Sequence, residues 1–95
     1  MKMTMIVYNV AIESEVMSVV EECGLHCYTK FPRIVGVGEK TNPRLDDHIW
    51  PGFNCALMIV SDDDSAKRLM GKIRELRDEK DGGVRAFLLD VSEIV

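Results

Sequence analysis

Two short segments of this 95-residue chain set glycines beside a base, "VGVGEK" at residues 35–40 and "DGGVR" at residues 81–85. Glycine lets the main chain approach a ligand closely, and backbone N–H groups exposed in this way attract an anion. A neighbouring ammonium or guanidinium adds charge-assisted hydrogen bonds. Gly36, Val37, Gly38 and Lys40 in the first segment and Gly82, Gly83 and Arg85 in the second are therefore candidates to hold a small anionic effector. Neither segment is specific by itself, because GxG is a weak signal and a glycine pair before an extended stretch is an ordinary turn.

From Glu39 to Pro51 the chain runs through a polar stretch more than twice as long as a usual hairpin connection. It carries Lys40, Asn42, Arg44, Asp46, Asp47, His48 and Trp50, with Pro43 and Pro51 limiting its freedom. Loops of this length are usually functional or disordered. An aromatic among mixed charges suits a protein partner, and Asn42, Arg44, His48 and Trp50 are the residues expected to meet it. The plainer reading is a solvated excursion that Trp50 tacks to the body.

Other chemistries find less support. His48 beside Asp46 and Asp47 offers imidazole and carboxylate to a divalent metal, and His26 beside Cys27 is a second such pair. Neither has a metal-site spacing on a regular element. There is no nucleophile and base at a recognisable spacing and no Walker or dinucleotide fingerprint, so the expectation is a protein that is not an enzyme.

Composition narrows the classes further. With 46% hydrophobic and 29% charged residues and a net charge of -4, the chain reads as one soluble globular domain, residues 1–95, and not as a nucleic-acid binder. "AKRLMGKIRELR" is basic, but its bases lie opposite an apolar face and are balanced by acids on either side. No run approaches a membrane span, and the opening residues reach glutamates before any cleavage site, so a cytoplasmic location is expected. Cys23, Cys27 and Cys55 are odd in number and lack CxxC spacing, which predicts buried, reduced thiols.

The elements that must position these residues follow from periodicity. Residues 3–10 are apolar on both alternating faces and read as a strand. Ile12, Val16, Val19, Val20 and Cys23 recur at helical spacing, with acids in the first turn and Gly24 as a stop. "HCYTKFPRIVGVG" is extended, with Pro32 marking an edge or bulge. "FNCALMIVS" reads as a strand, and the next segment is a helix with Ala66, Leu69, Met70, Ile73 and Leu76 on one face. A glycine turn and a last strand close the order β-α-β-β-α-β, an α+β, ferredoxin-like sandwich with both helices on one face of a four-stranded antiparallel sheet.

That architecture leaves one sheet face uncovered, yet the first and third strands are apolar on both sides. The expected cover is a second copy of the chain, burying Tyr8 or Ile6 and one apolar set of "CALMIV". Tyr8, Tyr28 and Phe31 are expected in the core or at that interface and not as a platform for bases.

"RIVGVGEK" before a long loop and "DGGVRAFLLDVSEIV" near the end resemble the P-II nitrogen-regulatory family of signal-transduction proteins. The element order agrees over nearly the whole chain, while the specific motifs are these two segments. The resemblance implies a homotrimer with its sheets facing the threefold axis, and it makes residues 39–51 the family's T-loop. It also implies an effector such as an adenine nucleotide bound between subunits, with Gly36 and Gly38 at the loop base and Lys40 where the family has glutamine. Gly82, Gly83 and Arg85 match the B-loop, Arg85 standing for a phosphate-contacting lysine. The chain departs from typical members in lacking the C-terminal arginines that complete the phosphate clamp and a tyrosine in the loop, and the compact loop with "HIWPGFN" looks more like short P-II-like proteins found alongside membrane transporters, which implies a transporter as partner. A related trimer, the divalent-cation tolerance family, is the alternative and implies a metal sensor.

Overall fold

The computed structural model describes residues 1–38 and 52–95. Four strands and two helices follow the expected order: β1 (Lys2–Asn9), α1 (Glu13–Glu22), β2 (Thr29–Ile34), β3 (Asn54–Ser61), α2 (Asp63–Lys80) and β4 (Val84–Asp90). A 3-10 turn, Val10–Ile12, joins β1 to α1. The strands form one antiparallel sheet in the order β2-β3-β1-β4, which is the ferredoxin-like arrangement.

Local chemistry explains the boundaries. Asn9 ends β1 because its side chain turns back to accept from the Ala11 N–H, so Val10 belongs to the turn and not to the strand expected to contain it. Asp62 caps α2 by accepting from the Ser65 N–H at 2.7 Å, and this bond holds its carboxyl below the ordinary range. Gly24, at a φ of 72°, follows α1 as the left-handed residue that a helix end favours. Pro32 lies inside the expected irregularity: β2 is an edge strand, and its register against β3 shifts between Phe31 and Ile34.

The core lies between the helices and one face of the sheet. Ile6 and Tyr8 from β1, Leu57 and Ile59 from β3, Val16 and Val20 from α1, and Leu69 and Ile73 from α2 are buried together. Each such aliphatic side chain contributes about 2 kcal/mol by leaving water. Met70, expected on the α2 core face, is only half-buried, whereas Ala66, Leu69, Ile73 and Leu76 are buried.

The uncovered face is apolar as expected, but its residues differ. Ile6 and Tyr8 are packed beneath this chain's own helices, so the outward set on β1 is Met3, Met5 and Val7. Register places Met3 beside Val60 and Leu89, Met5 beside Met58 and Phe87, and Val7 beside Ala56 and Arg85. Val60, Phe87 and Leu89 are 40%, 49% and 44% exposed, so several large apolar side chains meet solvent on this face. Phe31 and Tyr28 are likewise exposed, and so is Cys27, against the expectation that all three thiols are buried. Among the described residues, nothing covers Phe31 on the β2 edge strand or Tyr28 just before it enough to bury them.

Candidate functional site

The two glycine-base segments stand at the same end of the sheet. β1 and β2 run up to that end while β3 and β4 run away from it, so Ile34 and the first glycine segment top one edge and Gly82 and Gly83 top the other. Three strand spacings separate the edges, roughly 14 Å. Among the described residues, the backbone amides of Gly36–Gly38 and those of Gly82–Gly83 are therefore too far apart to meet on one phosphate.

The second segment is strongly shaped. Asp81, Gly82 and Gly83 have φ values of 53°, 109° and 78°, three successive residues in the left-handed half of backbone space, where glycine is favoured and other residues are strained. Helix α2 fixes one side of this turn, since the Gly82 N–H donates to the Arg77 carbonyl at 2.9 Å and the Arg77 guanidinium donates to the Val84 carbonyl. β1 fixes the other side, since the Asn9 N–H donates to the Gly83 carbonyl at 2.8 Å. Val84 enters the core, so alternation turns Arg85 outward beside Val7, exposed on the open face. Among the described residues, Arg85 makes no side-chain hydrogen bond or ion pair.

The first segment is less constrained. Gly36 makes one isolated bridge and is half-buried, and Val37 and Gly38 are exposed. Gly36 does not have a positive φ, so glycine is not required there by backbone conformation. Lys40, Asn42, Arg44, Asp46, Asp47, His48 and Trp50 lie outside the described residues. Among the described residues no group of three or more histidine, cysteine, aspartate or glutamate side chains is placed to hold a metal, and His26 and Cys27 lie exposed on the α1–β2 connection.

Contacts that sequence spacing does not announce hold this end together. The Tyr8 hydroxyl, brought up by β1 under α1, donates to Glu13 Oε1 at 2.8 Å, and burial together with this bond pushes the phenol pKa well up. Glu13 also pairs with Lys30 of β2, which holds its carboxyl below the ordinary range and the Lys30 ammonium above its own. The Cys55 thiol donates to the Pro32 carbonyl at 3.2 Å. The Val10 N–H donates to the Phe53 carbonyl at 3.2 Å, and the Arg33 guanidinium lies 5.1 Å from the centre of the Phe53 ring. Most of these contacts join positions distant in sequence, and no local sequence pattern announces them.

No protein-family model matches the sequence, and no curated protein matches it. Solved structures match its fold. A protein of Thermus thermophilus described as PII-like signalling superposes with a TM-score of 0.69 at 22% identity, covering 95% of this chain and 85% of that one. CPII from Thiomonas intermedia K12, bound to ADP, AMP and acetate, superposes with a TM-score of 0.75 at 13% identity, covering 95% of this chain and 84% of that one. The same protein bound to ADP, AMP and bicarbonate gives 0.73 at 13% identity, covering 97% and 88%. Among the described residues, no helix is long and apolar enough to cross a membrane. With identities of 13% to 22% these likenesses bear on architecture, and the chain is folded as the PII-like signalling proteins are.

Proposed function

We propose that this protein is a non-enzymatic, P-II-like cytoplasmic regulator. It binds an adenine nucleotide as its small anionic effector at the junction of neighbouring subunits in a homotrimer. The observation that carries this reading is the placement of the described glycines of the two segments at one end of the sheet but on opposite edges, which favours a site completed by a second chain. Supporting it, the turn at residues 81–83 is held by both α2 and β1, and an exposed Arg85 follows it. The apolar open face supplies the surface that brings copies together. The solved PII-like protein CPII is bound to ADP.

On this reading the backbone amides of Gly82 and Gly83 and the Arg85 guanidinium of one chain take phosphate oxygens, and Gly36, Val37, Gly38 and Lys40 of its neighbour close the site. Residues 39–51, with Asn42, Arg44, His48 and Trp50, then engage a protein partner such as a membrane transporter. Calorimetric titration with ADP tests the site: Arg85→Ala is expected to weaken binding about tenfold or more, the worth of one charge-assisted contact. Unchanged affinity would remove Arg85 from it.

A further inference from the structure

Five consecutive residues, Asn9 to Glu13, touch all three segments that meet at the functional end. The Asn9 N–H holds the Gly83 carbonyl at 2.8 Å, and the Ile12 Cδ1 atom lies 3.5 Å from where a β-carbon on Gly83 would sit. The Val10 N–H holds the Phe53 carbonyl, where the chain enters β3. Glu13 holds Lys30 of β2 and is steadied by the buried Tyr8 hydroxyl. β2 and β3 are the strands on either side of residues 39–51. The 3-10 turn is itself braced by the Asn9 side chain on the Ala11 N–H at 3.0 Å.

We infer that this braced turn is a coupling junction, through which a change at the glycine turn repositions β2 by way of Glu13–Lys30 and the start of β3 by way of Val10–Phe53. The physical reason is leverage. Asn9 and Val10 are adjacent, so a displaced Gly83 carbonyl moves a peptide unit whose neighbour is bonded to Phe53. The same displacement reaches Glu13 through one short, hydrogen-bonded turn. Among the described residues β2 is the less firmly held of the strands that flank residues 39–51: five of its six residues are exposed, Pro32 interrupts its ladder, and the register shifts there. Its position therefore depends on side-chain contacts, the Glu13–Lys30 pair among them beside the Cys55–Pro32 bond and the Arg33–Phe53 contact, more than a central strand would. This deepens the nucleotide reading by naming how occupation of the site would be felt at the strands that flank residues 39–51, and it rests on that reading for its biological meaning.

The test is amide hydrogen exchange on the full chain, without any ligand, so its failure is distinguishable from a failure of nucleotide binding. Four proteins are compared: wild type, Gly83→Ala, Glu13→Gln and the double variant. Gly83→Ala is expected to speed exchange in residues 29–34 and 53–55 about tenfold relative to the first half of α2. In the Glu13→Gln background it should no longer speed residues 29–34 by more than about twofold, while its effect at 53–55 persists. A merely structural role for Glu13 would leave the two effects on β2 multiplicative. That result, unchanged β2 exchange in Gly83→Ala, or equal acceleration throughout the chain would each overturn the inference. If Gly83→Ala does not fold, Asn9→Ala, which removes the brace on the turn, takes its place with the same expectations.

Discussion

The hydroxyl of Tyr8, at the end of β1, donates to a carboxylate oxygen of Glu13, at the start of α1, across 2.8 Å. The same carboxylate pairs with Lys30, so one acidic group ties the first strand, the first helix and the edge strand leading to residues 39–51.

This pair carries a pH dependence with a definite sign. Lys30, and then Tyr8, hold the Glu13 carboxyl below its ordinary value of 4.5, so its contribution is fully present above that value and is lost as the pH falls through the lower folded value. Glu13→Gln should cost about 0.5–1 kcal/mol at neutral pH, the range of a partly exposed ion pair. Denaturation of the two proteins across pH 7 to 3 checks this: the gap should close in acid, and a gap that persists there would show that Glu13 acts through packing.

Thr4 is fully buried, and its hydroxyl has no hydrogen-bond partner among the described residues. Thr4→Val keeps the branched shape and removes a desolvated polar atom. It should stabilise the fold by about 1 kcal/mol, read as a higher denaturant midpoint with an unchanged slope.

Two glycines should respond oppositely to alanine. Gly71 lies within α2, and a β-carbon there would meet no atom within 4 Å, so Gly71→Ala should stabilise by about 0.5–1 kcal/mol. Gly83 has a φ of 78°, so Gly83→Ala should destabilise by about 1–2 kcal/mol. Thermal melts of both variants decide the matter, and equal shifts would contradict the backbone explanation.

The open sheet face should hold the copies together. Met5 and Phe87 are neighbours there, away from the helices. A charge placed at Met5→Asp or Phe87→Asp should dissociate the oligomer while helix content is kept, because the core lies on the other face. Sedimentation and far-ultraviolet dichroism on the same samples separate loss of assembly from loss of fold.

Much of the fold was legible because its signals are periodic. Val16 and Val20 on α1, and Ala66, Leu69, Ile73 and Leu76 on α2, are buried as their spacing requires, and Pro32 marks the irregular edge. Which face of β1 meets the helices was not legible, since Ile6 and Tyr8 alternate with Met5 and Val7 and both sets are apolar. Only the placement of α1 and α2 over the even-numbered set decides it. The same limit applies to the site. "DGGVR" announced a turn, and the structure adds three left-handed residues there. Glycine content suggested equal weight for Gly36, which adopts no such conformation. The Asn9–Gly83, Val10–Phe53 and Glu13–Lys30 contacts were invisible because each joins residues brought together only by the chain's tertiary path.

The most direct test of the central claim is a native mass spectrum of the protein with and without ADP. A trimer that takes up about one ADP per chain, with uptake lost in Arg85→Ala, is the predicted result. A monomer, or a trimer whose mass ADP leaves unchanged, would contradict an intersubunit nucleotide site.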